Sequence, residues 1–380
     1  LYELASSSEV CTYFDQVMQQ QFLPTGRVQF LPMTEYVGDG NVTSRVSGAT
    51  RKIAADKIVD ATYMNVSVPS IREPFFAVEA DAHCVPVNGL AGVADAYRHY
   101  VVIGGGKTSM DACLFLLGSG VSADLITWIR PRDSWILDRA FIQPGKLAAG
   151  SIRAAVDQSR GVLAARTAAE VLEAAEASGS LMRIDPTVTP TMYRCATCTV
   201  KELDALRTIT DVVRLGHVTR ITRDSIELEQ GSVETGPEVL HVDCSADGLA
   251  RRPIQPIFEA DKITLQSVRT CQQVFSAAFI GHVEAAYDSI DVKNDLCQVV
   301  RHPDTDIDFL RTMRDTNRNA ARWAQDPDLQ RWLQNARLDG FTRPAEDGAP
   351  TPDEATIAKL AEGAAAVQAK IAELIQAAES

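Results

Sequence analysis

The chain has 380 residues, 46% of them hydrophobic and 23% charged, which are the proportions of a globular protein rather than a disordered one. Fifty acidic against 37 basic residues leave a formal charge of −13, and no Lys/Arg stripe interleaves with aromatics, so nucleic acid is excluded as an expected partner. No run approaches 18 apolar residues, so no transmembrane helix is expected, and the length predicts two domains.

The opening stretch Leu1–Gln21 has helical character without a signal-peptide pattern. Because it starts on Leu1 inside that pattern, the true N-terminus is expected upstream. Strand character follows from Val28 to Pro69. Asp39-Gly40 marks a turn, residues alternate through Val42–Val46, and Lys57-Ile-Val-Asp-Ala-Thr closes as another strand. From His99 the pattern becomes a buried strand (Tyr100–Ile103), a glycine loop (Gly104–Gly106) and an apolar helix with Met110, Cys113, Leu114 and Leu117. Gly118 and Gly120 end that helix, and a second strand, Asp124–Ile129, completes a β-α-β unit. Residues 147–178 are Ala-rich with helical periodicity, and 199–215 read as a further amphipathic helix.

A second meander is expected from Val218-Thr-Arg-Ile, Ser225-Ile-Glu-Leu-Glu, the turn Gln230-Gly231 and Val239-Leu-His-Val-Asp. Its ending, Ile-free but otherwise alike in His241-Val-Asp-Cys-Ser, repeats the Ile58-Val-Asp-Ala-Thr ending of the first. Two similar segments flanking the β-α-β unit imply an insertion: an α/β fold with a Rossmann-like domain at 71–215 set into a second domain made of 1–70 and 216–342. A connector and helix at 343–380 complete the chain. Thr351-Pro-Asp-Glu354 has capping-box spacing, and Ile357, Leu360, Ala364, Val367, Ile371 and Leu374 form a short seam that packs either on its own domain or on a partner helix. The oligomeric state is left open.

The strongest chemical signal is Tyr100-Val-Val-Ile-Gly-Gly-Gly-Lys-Thr-Ser-Met. In a dinucleotide site Gly104 permits the tight turn and Gly106 lets the backbone approach a pyrophosphate, while Ser109, in place of a third glycine, still allows close packing. Gly104, Gly105, Gly106, Lys107, Thr108 and Ser109 are therefore the candidate phosphate-binding residues, with Lys107 reaching either the phosphates or water. Asp111 is read as a partner of the helix dipole rather than a base. Where NAD sites place a ribose-binding carboxylate, the second strand ends in Arg130-Pro-Arg132. That pair favours a 2′-phosphate and hence NADPH, with solvated surface arginines as the alternative.

The glycine loop, Trp128-Ile-Arg-Pro-Arg and the Val59-Asp-Ala-Thr and Val242-Asp-Cys-Ser segments resemble flavoproteins with two dinucleotide-binding domains, the flavin-dependent monooxygenase-like and pyridine-nucleotide–disulfide oxidoreductase group, over roughly residues 25–290. The resemblance implies FAD beside Ala61, Thr62 and Tyr63, hydride transfer from NADPH to the flavin, and a small-molecule substrate. The family's N-terminal FAD glycine loop does not precede residue 28, so either a front segment lies outside this chain or FAD binding is lost. Two other readings stand beside a monooxygenase-like enzyme: a disulfide reductase cycling Cys195 and Cys198, and a non-catalytic NADPH-binding protein.

The eight cysteines are scattered and read as thiols of a reducing, cytoplasmic chain rather than as a disulfide framework. Cys195-Ala-Thr-Cys198 could carry redox chemistry, but Thr199-Val-Lys-Glu202 is a capping box and Cys198 with Leu203 would be its hydrophobic staple. The histidines lack metal-ligand spacing, no G-x-S-x-G elbow occurs, and no general acid or base stands out. In Phe275–Ala285 core packing is expected, with His282 and Glu284 structural.

Overall fold

Local turn chemistry shapes the first part of the chain. The computed structural model describes residues 4–143, 149–248, 251–336, 338 and 354–380, which divide into two units. The first comprises residues up to 59 together with 259–263. In it α1 (Ser7–Val17) starts on a capping box in which Ser6 and Glu9 satisfy each other's amides. Asp39 and Gly40 both take left-handed backbone, φ 50° and 75°, and so join β1 (Thr34–Gly38) to β2 (Asn41–Ser44) as a hairpin, which β3 (Thr50–Lys52) extends. At the start of β4 (Ile58–Asp60), Ile58 donates its amide to Asp261.

The second unit holds residues 60–258 and 264–380. In it β5 (Ala77–Val78) precedes β6 (Cys84–Pro86), which runs into the short helix α2 (Val87–Leu90). Next come β7 (His99–Ile103), α3 (Lys107–Gly118) and β8 (Ile126–Ile129), the β-α-β unit expected from the sequence. A five-stranded, all-parallel sheet has the order β12 (Val212–Val213), β8, β7, β16 (Val239–Asp243), β6. Its strands are covered on both faces, which is why they read as continuous apolar runs rather than alternating ones. On one face Val102, Trp128 and Val242 pack with Met110, Cys113 and Leu116 of α3 and with Leu203 and Leu206 of α6 (Val200–Leu206). On the other, Val101, Ile103 and Ile129 meet Val218, Ile221, Ile226 and Leu228. Those last residues belong to the antiparallel β13 (Val218–Ile221), β14 (Ser225–Leu228) and β15 (Gly231–Glu234), with β5 parallel at the edge. The fold is Rossmann-like α/β.

Two expectations are corrected here. Val239–Asp243 does not continue the meander but lies between β7 and β6 in the parallel sheet, because Leu240, His241, Val242 and Asp243 are all buried and leave no solvent face. The helix expected over 199–215 ends at Leu206. Beyond it the β-branched run Thr208, Ile209, Thr210, Val212 and Val213 favours extended backbone and becomes β12. The sheet therefore draws strands from both sides of residue 215, the expected end of the insertion.

A third sheet consists of β9 (Ser134–Asp138) between β10 (Leu181–Met182) and β11 (Met192–Cys198). The Ala-rich stretch divides into α4 (Ala149–Ala164) and α5 (Ala168–Ala177), with Thr167 capping the second. The later helices are α7 (Gln273–Ala286), α8 (Ile290–Leu296), α9 (Asp306–Trp323), α10 (Pro327–Asn335) and α11 (Glu354–Glu379). Phe275 and Phe279 of α7 pack on Trp323, His282 stacks on Trp332 at 4.4 Å, and Lys293 pairs with Glu284 at 2.7 Å, so this segment is structural. On α11, Val367, Ile371 and Leu374 are buried with Ile375 in a cluster that includes Phe309 and Leu310 of α9 and Leu172 of α5, whereas Leu360 and Ala364 are exposed. The seam thus packs on its own chain over its second half. The connector at 343–352, the Thr351 capping box and the side chain of Ile357 lie outside the described residues. Among those residues no helix is long and apolar enough to cross a membrane.

Candidate functional site

The glycine loop is shaped by close backbone approaches. Gly104 sits at φ +138°, where an added Cβ would lie 3.0 Å from the Cys244 carbonyl oxygen, and a Cβ on Gly105 would lie 2.3 Å from that of Arg132. Only glycine satisfies both positions. The loop is tied down by two further bonds: Gly104 N–H donates to Ile129 (2.9 Å), and the buried Trp128 indole N–H donates to the Gly104 carbonyl (2.8 Å). Gly106, by contrast, has nothing within 4 Å of a would-be Cβ.

Gly106 is also the N-cap of α3 and supplies no side-chain cap, so the first amides of this twelve-residue helix are free to bind an anion. Ser109 is fully buried, its hydroxyl donating to the Gly106 carbonyl at 2.7 Å, as a small residue packed under the loop should be. Lys107 is ion-paired with Asp111 one turn on. Gly104, Gly105, Gly106, Lys107 and Thr108 line a cleft of about 910 Å³.

The same cleft is lined by a knot of charge. Asp304, its side chain 9% exposed, pairs with Arg132 (3.1 Å), Arg194 (2.7 Å) and Arg251 (3.6 Å), and Arg194 also reaches Asp247 at 2.6 Å. Burial opposes its ionisation, but the hydrogen bonds from Arg194 and Arg132 outweigh it and hold the Asp304 carboxyl below the usual carboxylate range. All five residues line the cleft together with Lys107 and Glu229, so four cations against three carboxylates leave its lining net positive.

Of the two arginines read from the sequence, Arg132 lines this cleft and Arg130 does not. Arg130 is buried, its guanidinium 4.8 Å from the Trp128 ring centroid and 3.1 Å from Asp133. The chain leaves strand geometry after Ile129 and turns at Pro131, so the two side chains do not share a face.

The C-x-x-C reading is corrected. Cys195 is bonded to Cys271, 76 residues away, and not to Cys198. Cys195 sits in a bulge of β11: Tyr193 pairs with Trp135 and Thr197 with Leu137, so Arg194, Cys195 and Ala196 oppose the single residue Ile136. The bulge turns Arg194 and Cys195 toward the cleft. Cys198, back in regular strand, is buried in the core with Leu203 beneath the Thr199–Glu202 capping box, and burial pushes its thiol up to about 11. This disulfide departs from the expectation of free thiols throughout.

Ala61, Thr62 and Tyr63 do not line the cleft. Thr62 donates from its amide (2.9 Å) and hydroxyl (2.8 Å) to Asp60, and Tyr63 donates to the Pro253 carbonyl at 2.7 Å. Asp243 receives the Ser245 amide in the same way at 2.8 Å, so the repeated Val-Asp-x-Thr/Ser endings both form Asx turns. Ala61–Tyr63 lie among these local bonds, outside the cleft that the glycine loop lines.

No family model matches the chain. It is similar to uncharacterized proteins of Mycobacterium bovis and Mycobacterium tuberculosis, each 49% identical over 340 residues. The alignment covers 89% of this chain but 63% of those relatives, so the chain spans less than two thirds of their length. Among solved structures, a bacillithiol disulfide reductase from Bacillus cereus aligns at TM-score 0.28 and 16% identity, over 64% of this chain and 58% of that one, a likeness too weak to bear on function.

Arg194, Arg251, Asp304 and Cys271 were not legible as site residues. They come from four separate stretches, and no spacing links them. Trp128 could have been read, since an indole needs a partner when buried in a parallel strand.

Proposed function

We propose that this chain carries the NADPH-binding site of an NADPH-dependent oxidoreductase. The carrying observation is the glycine loop at the uncapped N-terminus of α3, opening on a cleft that Arg132 also lines. The loop and helix amides would hold the pyrophosphate, and Arg132, together with the net positive cluster around Asp304, would receive the 2′-phosphate. NADPH supplies a hydride when bound, and the chain's own residues orient the dinucleotide. FAD as hydride acceptor follows from the resemblance alone. Ala61, Thr62 and Tyr63 lie outside the cleft that would hold NADPH, and no step is assigned to the flavin.

The test is calorimetric titration of NADPH and NADH into the chain and its Arg132→Ala variant. Arg132→Ala should weaken NADPH about tenfold more than NADH, the roughly 1.4 kcal/mol expected of one charge-assisted contact. Equal losses for both nucleotides would overturn the phosphate assignment. NADPH consumption with and without oxygen then separates a monooxygenase-like enzyme from one that reduces a small organic acceptor, and binding without turnover would leave a non-catalytic module.

A further inference from the structure

We propose that the Cys195–Cys271 disulfide is a thiol-exchange site, opened by a low-molecular-weight thiol that carries an anionic group. This goes beyond the nucleotide reading and requires no nucleotide. Both cysteines line the cleft and are partly exposed, whereas Cys113, Cys198, Cys244 and Cys297 are buried, with their thiols pushed up by burial. Both bonded residues also hold left-handed backbone, φ 55° at Cys195 and 50° at Cys271, a conformation uncommon for a side chain of this kind. Such positions persist only where the surroundings enforce them, and here the β11 bulge presents one sulfur to the cleft.

The two sulfurs are not equivalent. Cys271 lies two residues before α7, whose N-cap Gln272 offers no side-chain cap, so the free amides of a fourteen-residue helix favour a thiolate there. Cys271 is thus the better leaving group, and attack is directed to Cys195. Arg194 adjoins Cys195, and with Arg132, Arg251 and Lys107 it exceeds the charge of Asp304, Asp247 and Glu229 along the cleft, which selects an anionic thiol.

The step balances as follows. The incoming thiolate attacks Sγ of Cys195, the Cys195–Cys271 bond breaks, and Cys271 leaves with the electron pair as a thiolate. A second molecule of the thiol then attacks the external sulfur of the mixed disulfide and releases Cys195. Two small thiols are oxidised to their disulfide and the protein disulfide is reduced to two thiols. Run in reverse, the reaction takes that small-molecule disulfide as oxidant.

The experiment exposes the oxidised full chain to 2-mercaptoethanesulfonate, 2-mercaptoethanol or cysteamine at equal thiolate concentrations. Acid quenching, alkylation and peptide mass mapping then locate the products. The sulfonate should open the bond about tenfold faster than cysteamine, the low end of focusing by a charged cleft, with the adduct on Cys195 and alkylation on Cys271. Arg194→Gln should bring the ratio toward one, Cys198→Ser should leave it unchanged, and raising the salt on the wild-type chain should narrow it without any substitution. Rates blind to thiol charge, an adduct on Cys198, or alkylation of both Cys195 and Cys271 before thiol is added would overturn the proposal. NADPH titration of the same preparation reports the nucleotide site independently.

Discussion

At the scale of single residues, adjacent glycines in the loop have different physical duties. Gly105 is required by the Arg132 carbonyl against which it lies, a backbone atom that cannot swing aside. Among the described residues nothing comes within 4 Å of a Cβ added to Gly106, so under the nucleotide proposal its smallness serves the phosphate alone. Gly105→Ala should therefore destabilise the chain by about 1–3 kcal/mol, the usual cost of forcing a methyl group into a packed site, and weaken NADPH as well. Gly106→Ala should melt like the wild type in urea yet lose NADPH affinity at least about tenfold, since its methyl group takes the room of a phosphate. If the two variants behave alike in both measurements, the division of labour is wrong. The first duty is invisible in a G-x-G pattern, because the Arg132 carbonyl reaches Gly105 only through the turn at Pro131.

At the scale of elements, the end of β8 shows how far a strand pattern can be trusted. Two residues of equal charge at spacing two belong on one face while the strand lasts, but β8 ends at Ile129 and its two arginines part company. Arg130→Ala should leave the preference for NADPH over NADH unchanged while lowering stability by about 2–3 kcal/mol. The loss would come from the cation over Trp128 and from leaving the buried Asp133 to Arg214 alone, at 2.8 Å. Denaturant melts and nucleotide titrations on the same variant separate the two effects, and a shift in preference would return Arg130 to the site. The bulge in β11 adds a second case: Cys195 is one of three residues that oppose Ile136 and lines the cleft, whereas Cys198, back in the regular ladder, is buried in the core.

At the scale of the whole molecule, stability depends on buried groups that must stay neutral. His241 is 1% exposed in the middle of the parallel sheet. Its Nδ1 lies 2.8 Å from the His83 carbonyl and so carries the proton, leaving Nε2 to accept from Thr235 at 2.8 Å. Burial holds its pKa below the usual value of about 6.5, and the His83 carbonyl offsets this only in part. The unfolded chain therefore binds this proton more readily. The stability is fully present above about pH 6.5 and is lost as the pH falls from there through the folded value, by up to about 1.4 kcal/mol per pH unit. Urea melts at several pH values between about 5 and 8 should show this slope, reduced in His241→Gln; an unchanged slope would assign it to His282 and His302, which burial also holds low.

What the sequence by itself determined was set by neighbours along the chain: the β-α-β unit from Tyr100 to Ile129, the Thr199–Glu202 cap, the Asp39-Gly40 turn and the paired Val-Asp endings. Periodicity, capping and turn preference act over a few residues, so they can be read from a few residues. Only the tertiary structure decided that Val239–Asp243 joins the parallel sheet, that Arg130 turns inward while Arg132 faces the cleft, and that Cys195 finds Cys271 rather than Cys198. Each of those outcomes depends on burial and contact between segments tens to hundreds of residues apart, where no local spacing carries the information.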